Sequence, residues 1–163
     1  LVGRTREALG PLERQAPPAV FEHGDLSHPN LVVRDEGGLG VLDWELARPD
    51  GLPLHDLCFF LGYVALATVG EEGDPFEGLV RVLGHPTWGA AAALHSEAAR
   101  LGIDREAIPG LVIACWARAF AGLADRLAGG AAGGVDGQLS RSRYHRLWEG
   151  AVDRQGQLVA LLV

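Results

Sequence analysis

Asp25, Asn30 and Asp43 are the residues whose types and spacing could do chemistry together. They lie in residues 21–44, FEHGDLSHPNLVVRDEGGLGVLDW. Here a short loop carrying His23, Asp25 and Asn30 runs into an apolar strand, turns near Gly37-Gly38 and returns on a second apolar strand ending at Asp43. A two-residue turn at Glu36-Gly37 makes the numbers of facing residues sum to 73 and sets Asn30 opposite Asp43. A turn at Gly37-Gly38, also favoured in tight hairpins, makes the sum 75, so that Glu45 faces Asn30 and Asp43 becomes its diagonal neighbour. Facing side chains lie about 4.5–5.5 Å apart at Cβ, so both registers bring an amide oxygen and a carboxylate within reach of one ion. Oxygen donors of this kind suit Mg²⁺, which takes one or two carboxylates and completes its shell with water and substrate phosphates. Asp25 then lies beside the ion without binding it, placed to orient a hydroxyl and take its proton.

The run His23-Gly24-Asp25 with Asn30 five positions on, the apolar hairpin, and Leu42-Asp43-Trp44-Glu45 together resemble a known catalytic core. It is that of the aminoglycoside phosphotransferase and choline kinase-like family, relatives of the protein kinases. The kinase template pairs a His-Arg-Asp-x-x-x-x-Asn loop with a downstream Asp-Phe-Gly. The resemblance covers residues 4–70. It implies Asp25 as catalytic base, Asn30 and Asp43 as the Mg²⁺ ligands that bind the cofactor, and His23 as a brace of the loop. Glu45 sits where this family often keeps an acidic residue, which makes it a further candidate for the metal. The implied reaction moves the γ-phosphate of ATP to a hydroxyl of a small molecule such as an aminoglycoside, choline, a sugar or an amino alcohol. The implied fold is α+β and predominantly helical: the C-terminal lobe of a protein-kinase-like fold, with the catalytic loop and a β-hairpin packed on a helical array.

The rest of the sequence must position these groups. At 163 residues the chain is long enough for one domain, 1–163, with a substantial core. A net charge of −7 with no basic cluster argues against nucleic acid and anionic membrane as partners. Cys58 and Cys115 fall in apolar segments without metal-ligand spacing and read as buried free thiols in a reducing, cytoplasmic setting. No uninterrupted apolar run or basic-then-apolar leader marks a membrane span or an export signal. All 14 basic residues are arginine and there is no methionine. Kinase-like enzymes clamp nucleotide phosphates with a lysine under a glycine-rich loop. The glycine-rich run at 129–134 does not substitute for that loop, since it lies between helical patterns. The expectation is therefore an ATP-clamping N-terminal lobe upstream of Leu1, and weak nucleotide binding by the 163-residue chain alone.

Spacing predicts an amphipathic helix over 5–15, ended by Pro17-Pro18, and a turn-rich connector over 44–50. A helix over 53–68 is apolar on every side and reads as buried all round. Asp56 in its first turn either caps its own helix or, as the resemblance implies, reaches the backbone of the 23–25 loop. Glu71, Glu72, Asp74 and Glu77 read as a solvated acidic stretch, with attraction of a cationic substrate as the alternative. Further helices are expected over 87–101, capped at Thr87 and stopped by Gly102, over 104–127, and over 139–162. Trp116 and Phe120 read as core, the loop 129–137 as mobile, and Arg141, Arg143, Arg146 and Arg154 as facing solvent.

Two other functions compete with the kinase. His23, Asp25, His28, Asp43, His55 and Asp56 could serve a metal-dependent phosphohydrolase, although the paired motifs of metallophosphoesterases are missing. A non-catalytic kinase-like accessory module would keep the fold without the chemistry, against which the three core polar residues are all present.

Overall fold

Gly10-Pro11 breaks the first expected helix. Proline has no N–H to donate into the preceding turn, and the computed structural model shows two short helices, α1 (Val2–Ala8) and α2 (Gly10–Gln15), meeting at Leu9. The structure describes residues 1–70, 72–128 and 135–163, so Glu71 and the 129–134 run lie outside the described residues. A left-handed Ala16 then turns the chain towards Pro17-Pro18.

Two antiparallel strand pairs follow. The hairpin pairs β2 (Leu31–Val33) with β3 (Leu39–Val41), and β1 (Val20–Glu22) pairs with β4 (Arg48–Gly51) through an irregular register. The expected connector over 44–50 is thus a short 3-10 turn at Trp44–Leu46 followed by a strand. Pro49 and a four-residue length hid that strand; proline is tolerated in a strand at a sheet edge.

Helix α3 (His55–Val69) starts two residues later than expected and is not buried all round. His55, Cys58, Phe59, Gly62 and Ala65 form its buried face, while Leu57 and Phe60 line an open groove. Trp116 from the central helix α6 (Ile108–Ala128) packs against Gly62 and stacks on Phe59. Helix α4 (Pro75–Gly84) was hidden behind the acidic stretch. Asp74 accepts the Phe76 N–H as its cap and pairs with Arg154, Glu77 lies inside the helix, and Phe76, Leu79, Val82 and Leu83 are buried. Helix α5 (Ala90–Arg100) begins after Gly89 rather than at Thr87 and ends where Gly102 turns left-handed.

The last expected helix is three: α7 (Val135–Arg141), α8 (Arg143–Asp153) and α9 (Gln155–Leu162). Ser142 interrupts it by accepting the His145 N–H as the cap of α8. Three of the four arginines assigned to solvent make specific contacts. Arg143 lies against Tyr63 and Tyr144, Arg146 donates to the Gly73 carbonyl at 2.5 Å, and Arg154 pairs with Asp74 and covers Phe76.

Residues 105–128 are long and apolar enough by composition to cross a bilayer, although charged residues interrupt the apolar run. Half of that window is buried in this fold, with Ile108, Leu111, Ile113 and Cys115 fully enclosed. Trp116 is core as expected, Phe120 packs against the core edge, and both cysteines are buried free thiols. A buried bond from Trp148 Nε1 to Thr5 Oγ1, 2.9 Å, ties α8 to α1.

Candidate active site

Two buried or half-buried carboxylates hold the loop that carries Asp25. Asp56, in the first turn of α3, accepts the His23 N–H at 2.7 Å and the Gly24 N–H at 3.0 Å. Its own helix gets no side-chain cap, so of the two roles expected for Asp56 the reach into the loop is the one observed. Gly24 has φ +86°, and a Cβ there would meet the Leu46 carbonyl oxygen at 2.7 Å; only glycine fits both constraints.

His23 braces the loop to the hairpin. The Asp25 N–H donates to Nδ1 at 3.3 Å, so the ring proton sits on Nε2 and is donated to the Leu42 carbonyl at 2.7 Å. Trp44 covers the imidazole edge-on, with ring centroids 4.7 Å apart. Asn30 closes the loop on itself: Nδ2 donates to the Asp25 carbonyl at 2.8 Å and to Asp25 Oδ2 at 3.3 Å. That leaves the Asn30 amide oxygen for another partner.

Neither expected register is present. Leu31 faces Val41 and Val33 faces Leu39, so facing numbers sum to 72 and Asn30 stands opposite Leu42, whose N–H it accepts at 2.9 Å. The turn has three residues, 35–37, closed by bonds between Arg34 and both Gly37 and Gly38, with Gly37 at φ +83°. A glycine in that conformation is the mark of the three-residue hairpin loop. Asp43 therefore sits one residue past the position facing Asn30, at the same end of the hairpin. Its φ of 60° and ψ of 65° stop the strand alternation there. A non-glycine residue in that region carries strain of order 1–3 kcal/mol. The Asp43 carboxylate makes no hydrogen bond or ion pair among the described residues.

A cleft of about 560 Å³ opens beside the loop, lined among others by Asp25, Glu45, Arg118, Gly122, Asp125 and Tyr144. The structure thus brings Asp25 together with Asn30 by contact and with Glu45 across the cleft wall, while Asn30 and Asp43 sit outside that lining. A larger groove, about 820 Å³, runs between the hairpin and α3, where Leu31, Val41, Leu57 and Phe60 make it mainly apolar. Asp25 lines the smaller cleft and not this groove.

Sequence reasoning missed Glu22. Its side chain, 1% exposed, accepts the Leu52 N–H at 2.7 Å and two donors from Arg118, one of them at 2.7 Å. Burial raises its carboxyl, but Arg118, His55 and the Leu52 N–H outweigh this and hold it below the ordinary value. Burial lowers His55 against the opposing pull of Glu22, whose Oε1 lies 3.8 Å from His55 Nε2. The only sequence signal was a glutamate in the otherwise apolar approach to the loop. The His/Asp set considered for a hydrolase is dispersed: His23 serves Leu42, His28 packs on Tyr63, His55 faces Glu22 and Asp56 serves the loop amides. No group of three or more His, Cys, Asp or Glu arranged for a metal occurs among the described residues.

The family model described as the phosphotransferase enzyme family matches residues 2–94, more than half of the chain, and the chain belongs to that family. Comparison with curated proteins and with solved structures returns no match.

Proposed function

We propose that this chain is the catalytic, C-terminal lobe of a kinase-like enzyme that transfers the γ-phosphate of ATP to a hydroxyl of a small molecule. The observation that carries the reading is the contact of Asn30 Nδ2 with both the carbonyl and the carboxylate of Asp25. It fixes a potential base beside a potential metal ligand, at the wall of a cleft of ligand size. Family membership supports the same class of reaction.

In this reading Asp25 aligns the acceptor hydroxyl and takes its proton as the new P–O bond forms. Positioning and charge neutralisation dominate such transfers. The Asn30 amide oxygen and the unpartnered Asp43 carboxylate are hard oxygen donors that fit Mg²⁺, with Glu45 as a further candidate. When bound, the ion would neutralise charge on the nucleotide phosphates. The chain has no lysine, so the nucleotide clamp is assigned to a separate N-terminal lobe. The acceptor class includes aminoglycosides, choline, sugars and amino alcohols.

Asp25→Ala in the enzyme carrying both lobes tests the reading. Phosphoryl transfer to a panel of hydroxyl acceptors, followed by ADP release, should fall by at least about a hundredfold, with nucleotide affinity within a few-fold. Activity close to the parent would remove Asp25 from the role of base. Separately, sub-micromolar ATP binding by the 163-residue chain would contradict a clamp located elsewhere.

A further inference from the structure

Arg143 opens α8 with its guanidinium 4.5 Å from the centre of the Tyr63 ring and 5.1 Å from that of Tyr144. Nη2 donates to both phenol oxygens, at 3.2 Å to Tyr144. Tyr144 lines the cleft that holds Asp25. Tyr63 meets the ring of His28, three positions after Asp25, edge to face at 5.8 Å. Burial is the largest influence on both groups, raising the Tyr63 phenol and opposing the rise of Arg143. The Asp25 charge raises both, as a carboxylate within charge–charge range does.

No carboxylate pairs with Arg143 among the described residues. A long cation held between two rings gives up rotamer freedom, and here no ion pair offsets that. Arg143 does not itself line the cleft and meets it through Tyr144; the guanidiniums that do line it differ. Arg118 is matched by Glu22 and Arg48 by Asp50, while Arg126 is exposed and makes no hydrogen bond or ion pair among the described residues. Arg143 is anchored by two phenols and has no paired acid among the described residues.

We propose that Arg143, clamped by Tyr63 and Tyr144, is a phosphoryl-binding residue at the edge of this cleft and holds an oxygen of the phosphate group handled beside Asp25. The inference rests on the phosphotransferase reading for the source of the phosphate. A phosphoryl group and the Asp25 carboxylate repel each other in a partly desolvated cleft unless a cation lies between or beside them. The planar guanidinium can meet two oxygens at once, and only its Nη2 is engaged among the described residues, which leaves Nε and Nη1 for a ligand.

The test uses inorganic phosphate, which needs neither turnover nor metal. Phosphate is titrated into the 163-residue chain while the arginine Nε–Hε and backbone amide resonances are followed. Saturable shifts are expected at Tyr63, Arg143, Tyr144 and Asp25. Arg143→Met should bind roughly tenfold more weakly, and Arg143→Lys should recover part of the loss. Tyr63→Phe, which keeps the ring and removes one anchor, should weaken binding several-fold with an unchanged melting curve. Equal affinity in Arg143→Met, or no saturable shift in the parent, overturns the proposal. So does tighter binding of glycerate than of glycerol phosphate, since the site would then favour a carboxylate. Phosphate binding that depends on Arg143, alongside full activity in Asp25→Ala, would sink the base assignment and leave this site standing.

Discussion

Glu22, one residue before His23, holds Arg118 of α6 from 96 positions away in the chain. The carboxylate is 1% exposed and the Arg118 side chain 34% exposed, so the acid is sealed in while its partner still reaches the cleft. This pair and the Asp56 contacts tie the loop to α6 and α3.

Removing one member of such a pair leaves the other charge without compensation. Arg118→Met should lower stability by about 3 kcal/mol, the lower end of the cost of orphaning a buried charge. Glu22→Gln combined with Arg118→Met should recover most of that loss. Urea unfolding of the two variants settles the point, and a double variant no more stable than the single one would show that the pair is not coupled.

Acid should weaken the fold in two stages. His55 has a folded pKa depressed below its ordinary 6.5, so the unfolded chain binds the proton first. The stability it contributes is complete above that value and is lost as pH falls below it. Glu22, depressed below 4.5, adds a second loss with the same sign at lower pH. Melting temperature measured from pH 8 down to about pH 2 should fall in both windows, and His55→Gln should remove the upper stage. A flat profile from pH 7 to pH 5 would contradict the assignment.

Asp56→Ala orphans the amides of His23 and Gly24. Each unsatisfied buried donor costs about 1–3 kcal/mol, and the loss should concentrate in the loop. Hydrogen exchange at His23, Gly24 and Asp25 is expected to speed up far more than exchange in α6. Uniform acceleration across the chain would mean that Asp56 supports the whole fold and not this loop.

Asp43 holds a left-handed backbone that glycine adopts freely. Asp43→Gly should therefore be as stable as the parent or more so, by up to about 1 kcal/mol, while Mg²⁺-dependent nucleotide binding is lost. A clear loss of stability would mean that the carboxylate supports the fold through a contact of its own.

Much of this was legible in the sequence. The hairpin was readable because alternating apolar runs flank a glycine turn, and His23, Asp25 and Asn30 do meet as a compact loop. Its register was not, because one left-handed glycine at position 37 adds a residue to the turn and shifts every facing pair. Strand β4 and helix α4 were lost for the opposite reason, since Pro49 and the acidic residues around Asp74 carry local signals that tertiary pairing overrides. Glu22 with Arg118, and Arg143 with its two tyrosines, leave no spacing pattern at all. Such pairs form only when α6 and α8 dock against the loop and α3, and a one-dimensional reading has no measure of that distance.

The bond from Asp56 to His23 also bears on the order in which this protein assembles. The loop is tied down by α3 and α6, neither of which has emerged when residues 21–30 leave the ribosome. Closing contacts between such distant positions is slow, so the reactive geometry matures late. A chain whose helices have not yet docked has no organised loop.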